Sequence, residues 1–414
     1  MRRPVRVKTF LFLLSGSSAL SQAASDAILP STLVNPAGIV SSSGISQVVI
    51  AQNLTVPLTY EWNLNTQYQF LPSWVLELGY VGSHGIHQPS NGGQTGSGQA
   101  AAYLYNLAQL AGVGSPCVSC AGTNTATNTT ANAALRTPLL GISPTDTMVQ
   151  TNLNYKYDGL QVTARKRLSH GLQIQAAYTW SRSFLQSPFG INTYPYLVDF
   201  YGPNPVYRPQ RLVINYAWNL PLGHQQGFLG KVTSGWTWSG VTTLQDGQPV
   251  TITDSSGGTI FGTTAGSTLN TAQFCPGMSA ANIVASGGVT QRVTDGLLPA
   301  ASRPAGSVGY FNTGVFSSAP TVGQVNGAGG GPGFGNSGLG IALGPGQNNW
   351  DMSVAKLINI REAQSLQFRG EFFNTFNDPQ FGNPSTNVAS PTFGVINSTS
   401  VSPRVIQFAL KYAF

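Results

Sequence analysis

The last eleven residues of the chain, 404–414, alternate between large apolar residues and small or polar ones and end on an aromatic. Successive side chains of a β-strand point to opposite faces, so from residue 405 onward one face of this segment is entirely apolar or aromatic: Ile406, Phe408, Leu410, Tyr412 and Phe414. The other face carries Val405, Gln407, Ala409, Lys411 and Ala413. About 9–11 tilted residues cross the hydrocarbon of a membrane, with alternate faces toward lipid and toward an aqueous lumen. The segment therefore predicts a transmembrane β-strand.

The composition favours many such strands over a soluble domain or a helical membrane protein. Only 8% of the 414 residues are charged, against roughly 25% in ordinary soluble domains. The longest apolar run, 10–14, is shorter than the about 20 residues that a spanning helix needs, even when it is extended through Ala19. We therefore expect an all-β, antiparallel transmembrane β-barrel.

Alternation with the same period marks eight further segments, at 62–70, 74–80, 160–168, 172–180, 212–220, 236–238, 350–354 and 366–376. The connections at 71–73, 169–171 and 359–364 are short, and that at 221–234 is intermediate. Those at 84–156, 182–209, 247–348 and 377–403 are long and rich in Gly, Asn, Pro and Ser. Barrels typically have short periplasmic turns and long extracellular loops, so these four are predicted to be extracellular. The loop 247–348 is long enough to contain small strands of its own or to capture a ligand.

The strand count indicates one further strand. With the C-terminus in the periplasm, the strand near 58–71 runs inward from the exterior, so a chain that enters from the periplasm needs an upward strand before it. The stretch 47–51 is the candidate. A total of about ten strands then satisfies the even number of bacterial single-chain barrels.

The N-terminus has the pattern of a secretion signal: basic residues precede the apolar run 10–14, and small residues follow as far as Ser25. Residues 1–25 are thus a predicted signal peptide; the alternative is a misassigned start whose first residues belonged to an upstream strand. Residues 26–57 form an N-terminal segment or extra strand, and residues 58–414 the barrel region.

The three cysteines suit an oxidising compartment. Cys117 and Cys120 lie close enough in sequence for a small disulfide loop, and Cys275 is remote from both. A zinc site would need two further ligands, and the four histidines are not near in sequence: His84, His87, His170 and His224. No metal, cofactor or catalytic constellation is expected, so the chain does not read as an enzyme. The formal charge of +7 forms no basic run, which argues against nucleic acid as a partner.

Strand parity assigns six charged residues to the lumen face: Glu77, Arg165, Arg167, Arg369, Glu371 and Lys411. A transporter could use them to bind or guide a polar solute, but pairing across strands is the plainer explanation and the one we favour. Aromatic residues near the strand ends suit membrane-interface girdles better than a sugar-stacking platform: Trp74, Trp180, Trp218, Trp236, Trp350, Tyr412 and Phe414.

Several segments together resemble the C-terminal barrel of Oar-like TonB-dependent receptors. They include 61–64, 80–85, 157–167, 177–183, 349–356, the Gln-Asp-Gly-Gln-Pro sequence at 245–249 and the Phe-rich stretch 368–384. The C-terminal strand, with Phe408, Leu410, Tyr412 and Phe414, resembles the signal by which barrel proteins are recognised for assembly.

The resemblance implies partners and a role. Outer-membrane lipid, the barrel assembly machinery and the TonB complex would be the partners, and the role would be uptake of a large solute that the motifs do not identify. Family members carry a regulatory-like domain, a plug and a barrel of about twenty-two strands, and the chain shows no segment resembling the first two. TonB would therefore act through a plug not present here. The alternative is a stand-alone, surface-displayed structural or adhesive barrel. A soluble secreted all-β enzyme is disfavoured by the apolar strand faces.

Overall fold

A computed structural model describes residues 48–90, 103–108, 133–139, 141–187, 192–193, 196–197, 200–222, 228–262, 271–283, 308–319, 333–361 and 364–414. Its main sheet contains nine long strands. These are β1 (Leu58–Leu71), β2 (Trp74–Ser90), β3 (Thr147–Ser169), β4 (Leu172–Ser187), β5 (Gln210–Asn219), β6 (Trp236–Gln245), β7 (Gln347–Arg361), β8 (Gln364–Phe373) and β9 (Val405–Ala413). Each pairs antiparallel with the next along the chain. The predicted all-β antiparallel architecture is confirmed.

The short turns lie where the alternation breaks. Leu71 pairs with Trp74 across the first turn, and Ser169 pairs with Leu172 across the second. In the second turn His170 and Gly171 both have positive φ, 51° and 75°. Two successive left-handed residues match the right-handed twist of a tight hairpin.

Glycines on the apolar face make room for aromatic rings from neighbouring strands. A β-carbon on Gly82 would lie 2.2 Å from the indole of Trp62, and one on Gly240 would lie 2.5 Å from the hydroxyl of Tyr216. The rings thus lie across backbone that has no side chain of its own, which covers the glycine and pins the strand register.

Several strands run further than the alternation predicted, most of all β2 and β3. β2 continues to Ser90 and β3 begins at Thr147, so both extend into the predicted loop 84–156. The sequence did not reveal these extensions because strands that project beyond the hydrocarbon need no lipid-facing apolar row. Register shifts at 85–89, beside the positive φ of 54° at His87, further obscure the pattern.

The prediction of a tenth membrane-spanning strand at 47–51 is wrong. Val48–Ile50 forms a strand of only three residues, which pairs in parallel with Thr147–Val149 near the start of β3. Three residues cannot cross a membrane that needs about 9–11. The segment is instead held beside the end of β3 that is remote from the short turns.

Within the described residues, no pairing joins β9 back to β1. All residues of both strands are exposed. Because neighbouring strands alternate in direction, the first and ninth strands of the path run the same way.

The long connections 247–348 and 377–403 pack together as a separate cluster, which we call the outer lobe (described residues 249–262, 271–283, 308–319, 333–346 and 379–400). Its short strands are Pro249–Val250, Gln273–Phe274, Val308–Gly309, Phe316–Ser317, Ala342–Leu343 and Val395–Ile396, and its 3-10 helices Thr259–Phe261, Ala280–Asn282 and Thr313–Val315. The small strands expected within 247–348 are therefore present. Its buried core contains Val250, Ile252, Ala272, Ile283, Tyr310, Phe311, Val315, Phe316, Ala342 and Ile396.

The remaining elements are short. They comprise the helix Phe228–Thr233, the 3-10 helix Ala133–Leu135 and the strands Tyr103–Leu104, Asn192–Thr193, Tyr196–Leu197 and Phe200–Pro203. No helix in the described part of the chain is both long and apolar enough to cross a membrane. The predicted signal peptide 1–25, Cys117, Cys120 and His224 lie outside the described residues.

Candidate functional site

The face of the sheet opposite the large apolar side chains, which we call the polar face, contains a groove of about 620 Å³ across β4 to β8. Its walls carry amides, hydroxyls and a few charges: Gln173, Gln175, Asn215, Thr237, Ser239, Asp351, Ser353, Gln367, Arg369 and Glu371. The residues share this face because each has an odd residue number and the pairing register places odd-numbered residues opposite one another. The groove can therefore offer many hydrogen bonds to a polar solute.

Arg369 and Glu371 are the two predicted residues that line this groove. Their side chains form an ion pair of 3.3 Å, and the amide of Gln407 on β9 also donates to Glu371. The Arg369 side chain is 48% exposed, so the pair remains open to a ligand from the groove. Both residues lie on β8, so this ion pair is formed within one strand, and the cross-strand contact of Glu371 is with the neutral amide of Gln407.

The other four candidates lie on the same face but outside the groove. Glu77 accepts a hydrogen bond of 2.7 Å from Asn65, and Arg165 donates one of 3.3 Å to Gln175. Arg167 and Lys411 are exposed near the short turns. The six residues thus form no single cluster. Glu77 and Arg165 contact neutral amides and not opposite charges.

Asp351 is a groove residue that the sequence reasoning did not select. Its carboxylate accepts hydrogen bonds from the backbone N–H of Asn374 at 2.8 Å and from the side chain of Asn349 at 3.1 Å. Strand parity places it on the polar face, and this is the sequence signal that could have found it. It adds a fixed negative charge at the groove wall.

An arginine and an aspartate meet where β5 and β6 leave the groove. The guanidinium of Arg208 donates to the backbone oxygen of Asp246 at 2.6 Å, and the N–H of Asp246 donates to the backbone oxygen of Gln210 at 2.9 Å. Burial lowers the pKa of Arg208, and nearby Arg211 lowers it further. Burial raises the pKa of Asp246, although Gln210 and Arg208 oppose the shift. The Gln-Asp-Gly turn therefore holds a partly desolvated acid at the rim.

A buried arginine links the predicted loop 84–156 to the outer lobe. Arg136 donates to the backbone oxygen of Ile260, and the N–H of Ala108 donates to the oxygen of Phe261 at 3.2 Å. Burial lowers the pKa of Arg136 to about 10. These contacts tie two long connections, 84–156 and 247–348, together beside the sheet.

The aromatic residues predicted at strand ends fall into two rows. Trp74, Trp218, Trp236 and Tyr412 lie toward the short turns, and Trp180 and Trp350 toward the long connections.

Two lysines on the apolar face lie at the same level as the first aromatic row, and the sequence patterns did not single them out. Lys166 donates to the backbone oxygens of Ser169 and Leu172 at 2.8 and 2.9 Å. Lys356 donates to Val232 and Ser234 and lies 5.3 Å from the ring of Trp236. Their long side chains reach turn carbonyls from a face that is otherwise apolar.

The C-terminal aromatics also lie on the apolar face. Phe408 stacks on Phe368 of β8 at 5.9 Å, and Tyr412 stacks on Phe414 at 5.8 Å. All four residues of the predicted assembly signal are exposed: Phe408, Leu410, Tyr412 and Phe414.

In the described part of the chain, no group of three His, Cys, Asp or Glu side chains is placed to hold a metal ion. The polar face and its groove offer a binding surface of amides, hydroxyls and a few charges.

The family model for the outer membrane beta barrel domain matches residues 10–407. The chain belongs to this family. Its apolar strand face, two aromatic rows and polar opposite face are what an outer-membrane location requires. The bacterial outer membrane is therefore its place in the cell.

Solved outer-membrane structures are similar to the chain over most of its length. The transporter YddB from Escherichia coli is 10% identical, with a TM-score of 0.38 over 90% of this chain and 34% of its own. The receptor BauA from Acinetobacter baumannii is 8% identical, with a TM-score of 0.37 over 86% of this chain and 29% of its own. The iron transporter FrpB from Neisseria meningitidis is 9% identical, with a TM-score of 0.37 over 89% and 33%. The chain spans about a third of the length of these structures. No curated protein sequence matches it.

Proposed function

We propose that this chain forms part of the wall of a TonB-dependent-receptor-like barrel that binds a large solute and takes it up across the outer membrane. The observation that carries the proposal is the groove of about 620 Å³ on the polar face, with the Arg369–Glu371 pair in its wall. The resemblance of the strand motifs to Oar-like receptors supports the same role. The solute would be held by hydrogen bonds and ion pairs, without covalent chemistry, so the proposed role is not enzymatic.

In this proposal the chain does not act alone. Energised uptake requires a plug and the TonB complex, and a receptor barrel of about twenty-two strands requires wall strands beyond the nine described here. The long connections contribute the outer surface that a solute meets first, and the polar face contributes its path.

Cysteine labelling in intact cells tests this role. In a chain whose three native cysteines are replaced by serine, Ser353→Cys places a thiol in the groove. Val354→Cys places one on the apolar face at the next position of β7, with a side chain that is similarly half-buried. A membrane-impermeant maleimide is expected to label Ser353→Cys and not Val354→Cys. Labelling of both variants, or of neither, would contradict a solute path along the groove.

Coupling to TonB makes a second measurement possible. Labelling of Ser353→Cys is expected to slow when the proton gradient that drives the TonB complex is collapsed. An unchanged rate would contradict energised uptake.

A surface-display role is the second candidate, because the outer lobe has its own buried core. Such a lobe can present a binding surface without any transport through the sheet. Display predicts the same labelling pattern for the two cysteine variants, without any response to the proton gradient.

A further inference from the structure

Three residues with basic side chains occupy facing or diagonal positions on the apolar face of β2, β3 and β4, at the ends remote from the short turns. Lys156 lies directly opposite His84 on β2 and Phe184 on β4, and Arg182 lies opposite Asp158, two residues further along β3. We call His84, Lys156 and Arg182 the basic rung.

The basic rung lies directly beyond the apolar part of this face. On β4 the outward row runs through Ile174, Ala176, Tyr178 and Trp180 before it reaches Arg182. On β3 the row Ala164, Val162 and Leu160 changes to charge at Asp158 and Lys156. The change occurs at matching positions of neighbouring strands, next to the aromatic row that contains Trp180. Such a level corresponds to lipid headgroups, because Trp and Tyr mark the membrane interface.

Local contacts hold the rung in place. Lys156 forms an ion pair of 3.1 Å with one oxygen of Asp158, and the hydroxyl of Tyr80 donates to the other at 2.8 Å. The guanidinium of Arg182 lies 6.0 Å from the centre of the Trp180 ring. Phe184 stacks on Tyr201 at 5.6 Å beside them. Asp158 is thus engaged at both oxygens, and the lysine is oriented by it.

Positive charge is in excess on this surface. One carboxylate, Asp158, faces Lys156 and Arg182, and among the described residues no carboxylate forms an ion pair with Arg182. Arg182 is exposed, and the side chain of Lys156 is 49% exposed. Both cations therefore have donors available to an anion at the surface.

We propose that the basic rung binds the phosphate groups of the glycolipid that forms the outer leaflet of the outer membrane. Side chains on facing and diagonal positions of neighbouring strands lie about 5 to 8 Å apart, which places two cations around one phosphate. Arginine and lysine are the usual phosphate ligands, the first through its planar fork and the second as a point charge. The exposed rings of Trp180 and Tyr201 provide apolar surface for the sugar and acyl chains of the same lipid.

The position favours a lipid over a dissolved anion. The rung faces outward from the sheet on the same side as the lipid-facing residues, and it does not line the groove of the polar face. This surface and the solute path thus occupy opposite faces, and the inference does not depend on transport.

Binding of lipid A to the full-length chain in detergent micelles tests the proposal. The Lys156→Gln/Arg182→Gln variant is expected to bind bisphosphorylated lipid A about tenfold more weakly or worse, since it removes both charged donors to the phosphate. Arg165→Gln/Arg167→Gln removes the same charge from the polar face of β3 and is the matched control, expected to bind as the wild type does. Equal losses in both variants, or no loss in either, would overturn the proposal.

Two further experiments complete the test. The first distinguishes loss of charge from loss of packing, and the second distinguishes binding of the lipid from binding of free phosphate. Lys156→Arg/Arg182→Lys keeps both charges and is expected to retain affinity; a loss equal to that of the glutamine variant would attribute the effect to packing and refute the phosphate contact. Dephosphorylated lipid A and millimolar inorganic phosphate are both expected to compete poorly. Competition by either at the concentrations where lipid A competes would overturn the assignment to a phosphorylated glycolipid.

Discussion

The ring of Phe393 packs against the ring of Phe311 at 71°, with 5.5 Å between their centroids. The two residues come from different long connections, and Phe316 contacts both rings at 6.2 and 6.0 Å. The outer lobe is thus held by a small aromatic cluster that neither connection could form by itself.

Truncating this cluster should unfold the outer lobe and leave the sheet intact. Phe311 is fully buried, so Phe311→Ala is expected to destabilise the lobe by about 3–5 kcal/mol. Amide exchange at Tyr310, whose N–H donates to the oxygen of Gly394, should accelerate, whereas exchange in β7 should not. Met278, which is 43% exposed, provides the control Met278→Ala. Uniform acceleration across lobe and sheet would contradict an independent lobe core.

The aspartate of the Gln-Asp-Gly turn should make the outer rim more stable in acid. Burial raises the pKa of Asp246 above its ordinary value. Its contribution to stability is therefore complete below the unfolded pKa and is lost as the pH rises through the folded one. Protease cleavage near 246 should therefore be slowest at a pH below the ordinary aspartate pKa of about 3.9 and faster at neutral pH. Asp246→Asn should slow it at the higher pH and reduce the difference, and Asp378→Asn, at an exposed aspartate, should not. An unchanged pH profile in Asp246→Asn would refute this assignment.

Lys356 should stabilise the turn that precedes β6. Its amino group donates to the oxygens of Val232 and Ser234 from the apolar face, so Lys356→Met leaves both carbonyls without this partner. A loss of about 1–3 kcal/mol in the free energy of unfolding is expected. Urea denaturation of the full chain in micelles measures it, with Lys411→Met on the exposed polar face of β9 as control. If the two variants lose the same stability, the turn contacts contribute nothing specific.

The terminal aromatic should matter more for assembly than for stability. Phe414 is 92% exposed, and its described ring contact is with Tyr412. Phe414→Ala should therefore leave unfolding in micelles almost unchanged and reduce the amount of chain that reaches the outer membrane in cells. Phe376→Ala, at a 59% exposed ring beyond β8, is the control for loss of an aromatic. Normal membrane levels of Phe414→Ala would argue against an assembly signal at this end.

The hairpins were predictable because their signals are local. Alternation over about ten residues fixes which side chains share a face, and a polar break such as 169–171 fixes where the strand turns back. The prediction of a tenth membrane-spanning strand was wrong because the signal that decides its pairing is not local. Val48–Ile50 is apolar enough to form a strand, but its pairing is decided by the distant segment Thr147–Val149.

The sequence predicted which face of the sheet the candidate residues occupy, but not which residues they contact. Parity places Arg369 and Glu371 on the polar face, and their ion pair follows from their spacing of two residues. The partners of Glu77 and Arg165 lie on neighbouring strands and depend on the pairing register. Local patterns do not contain that register.

The sequence by itself determined the class of protein, its strands and its two faces, because a strand in a membrane must repeat one apolar side every second residue. Tertiary structure alone decided the outer lobe, the groove and the basic rung. These assemble side chains such as Phe311 with Phe393, or Lys156 with Arg182, that are far apart in the chain. Packing and electrostatic contacts of that kind depend on distances in space, which a pattern of neighbours along the chain does not record.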